Sequence, residues 1–122
     1  MPEIKNSKQY DLEGRTLSFA KKVRSFIREL PKNIGNIEDG KQLARSSGSV
    51  GANYIEANEA LSKKDFLMRI KISRKEAKES TYWLSLVDIP EENRGLEKER
   101  QELLQEATEL MMILSAIMRK ST

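Results

Sequence analysis

Apolar residues return every three to four positions in successive stretches of this chain, and Pro31 and Pro90 fall where that rhythm lapses. Such spacing keeps one face of an α-helix buried, whereas a half-buried strand needs strict alternation. Leu12, Thr16, Phe19, Val23, Phe26 and Leu30 predict a first helix over about residues 11–30. The stretch Lys32 to Gly40 reads as a loop, with Asn36 or Asp39 capping a second helix over about 38–61. The apolar face of that helix is Leu43, Ser47, Val50, Tyr54, Ala57 and Leu61. Its first half is unusually small, and two glycines inside a helix, Gly48 and Gly51, imply close packing of another backbone or of a large ring. Phe19, Phe26 and Trp83 are available to fill that space.

Ser62, with Asp65 three positions later, marks the start of a third helix over about 63–88. Its face is Phe66, Ile70, Ser73, Ala77, Ser80, Leu84 and Val87. The fourth, over about 92–119, places Leu96, Leu103, Leu110 and Ile117 in one heptad position, with Ala107 and Leu114 in its partner position. Leu104, Met111 and Met118 repeat beside them, so the apolar face is wide enough for either a central buried helix or a subunit interface. Four similar helices with short connections predict an all-α, up-down-up-down antiparallel four-helix bundle, a single domain spanning residues 1–122.

Function is narrowed first by what is missing. With no cysteine and no histidine, the chain lacks thiolate nucleophiles, disulfides, the usual general base near neutral pH and the commonest metal ligand. The pairs Glu56 and Glu59, and Glu76 and Glu79, resemble carboxylate metal ligands, but a di-iron bundle also needs Glu-x-x-His on two helices. Surface ion pairs, such as Lys75 with Glu79, are the plainer reading. Gly48 to Gly51 lacks the Gly-Lys-Ser/Thr end of a phosphate loop, and the serines have no base arranged beside them. The expectation is therefore no enzyme, no cofactor, no metal and no small-molecule substrate. The first residues show no basic segment followed by an apolar one, and no apolar run approaches the roughly 20 residues of a membrane span, so a cytoplasmic, membrane-free protein is expected.

Net charge is only +3, but it alternates: +4, −2, +3 and −2 over residues 1–36, 37–62, 63–88 and 89–122. In the third helix Lys71, Arg74, Lys75 and Lys78 share a face, and in the first Lys21, Arg24 and Arg28 do so. Each row is either a solvated helical face or a track for a phosphate backbone. Repetition by oligomerisation would multiply the contacts.

The phrases DLEGRTLSFAKKVRSFIRELPK and EDGKQLARSSGSVGANYIEANEALSKKDFLMRIKISRKEAKESTYWL resemble the bacterial four-helix family called S23 ribosomal protein or 23S rRNA intervening-sequence protein. The resemblance runs from Asp11 to about Leu86; the last helix matches only in pattern. It implies a homopentameric ring. A related branch, the accessory variability proteins of diversity-generating retroelements, implies association with nucleic acid and a reverse transcriptase. The family's distinctive residues fall on Arg45, Ser49, Asn53, Glu56, Glu76, Glu79, Ser80 and Trp83. Asn53 with Glu56, and Glu76 with Ser80, lie one turn apart, which suggests a structural polar network between the second and third helices. The expected partners are other copies of the chain and RNA, DNA or a nucleic-acid-processing protein. The alternative is a structural or protein-binding scaffold in which basic and acidic helices pair between subunits.

Overall fold

Four helices form in the computed structural model, which describes residues 11–122: α1 (Leu12–Glu29), α2 (Ile34–Asn58), α3 (Lys63–Leu86) and α4 (Arg94–Ser121). The first residues, read above for a targeting signal, lie outside the described part. Among the described residues there is no strand, and no helix is long and apolar enough to cross a membrane.

Each helix starts on a polar side chain that accepts a hydrogen bond from the backbone three residues on, satisfying an N–H that the helix leaves without a partner. Asp11, Asn33, Ser62 and Asn93 accept from Gly14, Asn36, Asp65 and Leu96 at 3.1, 2.8, 3.0 and 3.1 Å. Pro31 ends α1 by holding Leu30 in an extended conformation, since a residue before proline avoids helical angles. At the end of α3, the Arg100 guanidinium of α4 donates to the carbonyls of Leu84, Ser85 and Val87 at 3.1, 3.3 and 2.7 Å. A cation thus closes the carbonyl end of α3.

The second helix departs from expectation at both ends. It begins at Ile34, inside the stretch read as a loop, and its cap is Asn33 rather than Asn36 or Asp39. Asn36 instead turns inward: its side-chain N–H groups donate to the carbonyls of Pro31 and Asp88, each at 3.0 Å, and its oxygen accepts from the Asp88 backbone at 2.8 Å. The helix stops at Asn58, and Leu61, assigned above to the buried face, is 99% exposed.

Among the described residues, backbones lie side by side from α1 to α2, α2 to α3, α3 to α4 and α4 back to α1, and not across either diagonal; the α1–α4 approach is the least extensive. Phe19, Val23 and Phe26 of α1, Leu43 and Val50 of α2, Ile70 and Leu84 of α3 and Leu110 and Leu114 of α4 form the buried centre. Serines sit where α2 and α3 approach. Ser46 and Ser80 hydroxyls lie 3.0 Å apart, and Ser73 donates to the Val50 carbonyl at 2.7 Å. Buried hydroxyls are tolerable there because each has a partner. The aromatic rings expected over the small half of α2 are not what covers its glycines. A Cβ at Gly51 would meet Thr16, at Gly40 it would meet Ile27, and at Gly48 it would approach Arg24, all from α1.

Candidate nucleic-acid interface

The third helix carries seven basic and three acidic residues between Lys63 and Leu86, so its electrostatic character depends on which way the acids face. Asp65 lies in the first turn, next to the partial positive charge of the helix start. Glu76 and Glu79 turn toward α2, where one guanidinium takes both: Arg45 lies 3.3 Å from Glu76 and 2.7 Å from Glu79. Glu79 also accepts from the Trp83 indole N–H at 3.0 Å. Lys71, Lys75 and Lys78 are left exposed, and none of them has a carboxylate within ion-pair distance among the described residues. Arg74, grouped with them by spacing, is partly buried.

The Glu79 carboxyl is held below the usual glutamate range, first by the Trp83 hydrogen bond, then by the Arg45 hydrogen bond and the charges of Arg45 and Lys75, against the opposing effect of burial. A depressed folded-state pKa means that this carboxylate's contribution to stability is present above its unfolded value and is lost as pH falls through the lowered one. Trp83 is the chain's single tryptophan. An acid titration of its emission should therefore show a step below the ordinary glutamate range, absent in Glu79→Gln. A midpoint at the ordinary value would contradict the arrangement.

The polar residues expected to link the second and third helices fall into separate groups. Asn53 donates to its own helix at Ser49, 2.9 Å, and accepts from Arg69 at 3.1 Å. Ser80 donates to the Glu76 carbonyl at 2.9 Å and meets Ser46. Glu56 is exposed and joins neither group. Arg69 therefore faces α2, and Ser46 of α2 lies against Ser80 of α3. Lys75 and Glu79, expected as a pair, do not form an ion pair; Glu79 goes to Arg45.

On α1, Lys21, Arg24 and Arg28 are exposed but do not extend the lysine row, because the backbone of α1 runs beside α2 and α4 and not beside α3. Arg24 lies beside Gly48 of α2, whereas Lys21 lines a groove between α1 and α4. Across that groove stand Glu99, Glu102, Glu106 and Glu109 of α4. Arg15 spans it, at 2.7 Å from Glu106 and 2.6 Å from Glu109. Burial, then the neighbouring Glu29 and Glu102 carboxylates, push the Glu99 pKa up. Leu104, Met111 and Met118, considered above for a subunit interface, are partly buried against the chain's own core, while Met112 is 64% exposed. Among the described residues no three His, Cys, Asp or Glu side chains converge as metal ligands would.

A family profile described as 23S rRNA-intervening sequence protein matches residues 8–116. The fold is similar to that of a crystallised protein with unknown function from the S23 ribosomal protein family of Bacteroides thetaiotaomicron VPI-5482. The two are 28% identical, the match covers 93% of this chain and 99% of the other, and the TM-score is 0.76. No curated protein matches the chain.

Proposed function

The chain belongs to the 23S rRNA-intervening sequence protein family, and from that premise we propose a non-enzymatic cytoplasmic module that assembles as a homo-oligomer, a pentamer by family resemblance, and binds RNA through the outer face of α3. We read its helices as an up-down-up-down antiparallel bundle. The opposed numbering of contacts along α2 and α3, Arg45 with Glu79 at one end and Asn53 with Arg69 at the other, supports that reading.

One observation carries the binding proposal. Arg45 pairs with both mid-helix carboxylates of α3 on the α2 side, so Lys71, Lys75 and Lys78 stay exposed with no carboxylate within ion-pair distance among the described residues, although the Lys75 charge still acts on Glu79. Exposed lysines outside close ion pairs can displace the counterions of a phosphate backbone, and each contact so made adds to the salt dependence of binding. Lys71→Glu, Lys75→Glu and Lys78→Glu together should weaken RNA binding and flatten the plot of log affinity against log salt by about 2 or more. Unchanged affinity with an unchanged slope would remove this face. For assembly, sedimentation of a monodisperse monomer at micromolar concentration would dispose of the ring.

The acidic wall of α4 favours a second reading, a scaffold with no nucleic-acid role. There the α3 lysines of one copy would meet the glutamates of the α1–α4 groove of the next. That reading predicts that the triple reversal dissociates the oligomer at moderate salt.

A further inference from the structure

The lysine row of α3 does not end in another charge. Four residues beyond Lys78, and so on the same exposed face, stands Tyr82, 59% exposed. At 1.5 Å per residue the row from Lys71 to Tyr82 is about 16 Å long. The tyrosine is also placed with some rigidity. Its ring meets Trp83 edge to face, with centroids 4.9 Å apart and planes at 79°. Trp83 in turn is fixed through its indole N–H to Glu79, and Glu79 is held by Arg45 from the neighbouring helix. A large exposed ring, braced from one side by Trp83, offers a flat face on which another ring can stack.

Resting on the reading of α3 as a phosphate-binding face, we infer that its ligand is an unpaired strand, with Tyr82 stacking one base at the end of the track formed by Lys71, Lys75 and Lys78. Base-paired nucleic acid keeps its base faces inside the helix stack, so a protruding side chain of this kind reaches a base face only where the strand is single. Lysines supply attraction to any phosphate backbone; the ring supplies the preference for an unpaired one. Tyrosine stacking is tolerant of base identity, so the preference is for strand state more than for sequence.

The experiment compares binding of a short labelled oligouridylate, an oligothymidylate of equal length and an RNA duplex by fluorescence anisotropy. The wild-type protein should favour both single strands over the duplex. Tyr82→Ala should weaken single-strand binding about tenfold or more while leaving duplex binding and the salt slope unchanged, and Tyr82→Phe should retain wild-type affinity. Single-strand binding should also change Trp83 emission, and the Tyr82→Ala protein, with its circular dichroism melt unchanged, should lose that preference. Loss of all binding in the Lys71, Lys75 and Lys78 reversal, together with wild-type single-strand affinity in Tyr82→Ala, would overturn the stacking role and spare the electrostatic face. Equal wild-type affinity for duplex and single strand would overturn it too. If the wild-type protein binds none of the three probes, both the face and the stacking role fall.

Discussion

Replacing Asn36 with leucine is expected to remove about 3 kcal/mol of folding stability, measured as a fall in the midpoint of a urea or guanidinium transition. The side chain is nearly the size of leucine, so volume is not the cause. At 4% exposure Asn36 fills a polar position between two connections that are far apart in sequence, making three hydrogen bonds to backbone groups of Pro31 and Asp88. Leucine would leave the Asp88 N–H and C=O and the Pro31 C=O, part-buried beside it, facing an apolar side chain with all three hydrogen bonds lost. Asn36→Asp separates the contributions. Its carboxylate still accepts from the Asp88 N–H but cannot donate to either carbonyl, so it should also be destabilising, and more so near neutral pH than in acid. A leucine variant within about 0.5 kcal/mol of wild type would show that water replaces the asparagine at no cost, contrary to this account.

The second large effect is expected at Gly51. Elsewhere in a helix, glycine to alanine gains up to about 1 kcal/mol by restricting the unfolded chain. Here a Cβ would stand 2.7 Å from the Thr16 hydroxyl oxygen and 3.0 Å from the Thr16 Cβ. Thr16 is only 1% exposed, and its hydroxyl is already directed at the carbonyls of Leu12 and Glu13 at 2.8 and 3.1 Å, so it has little room to turn away. Overpacking therefore outweighs propensity. Gly51→Ala should destabilise by about 2 kcal/mol, and a leucine there by more. Thr16→Ala removes the nearest atom, and in that background the cost of Gly51→Ala should shrink. A double-mutant cycle showing no coupling would mean that α1 and α2 separate freely at this point.

Three-four periodicity made most of the fold legible. Every residue assigned to the buried face of the first helix is buried, from Leu12 through Leu30, because that pattern survives wherever one face meets a core. The beginning of α2 was illegible for a definite reason. Asparagine and glycine in Asn33 to Asn36 carry the composition of a loop, and the choice between Asn33 and Asn36 as cap is made by Asp88, 52 residues away, which claims the second asparagine. At the other end, helix termination at Asn58 releases Leu61 from the register that spacing alone extended.

The candidate site was less legible. Spacing puts Arg74 in the lysine row and Glu79 beside Lys75, since both follow from position along one helix. Which flank is open and which is covered depends on the neighbouring helices. Arg45, from another helix, outcompetes Lys75 for Glu79, and the same interhelical packing draws Arg69 toward Asn53. The resemblance had marked Arg45 and Trp83 as distinctive, but their joint grip on Glu79 is visible only once α2 lies against α3.

The groove between α1 and α4 has a mechanical consequence. Going round the bundle, three of the four helix-to-helix joints are backed by a covalent turn, and the fourth joins the first helix to the last with the least packing of all. Arg15 and its two glutamates are a clasp across an unstitched seam. Thermal breathing takes the path of least work, so the molecule should open there like a book hinged along α2 and α3, exposing the inner faces of its outermost helices before the central pair separates.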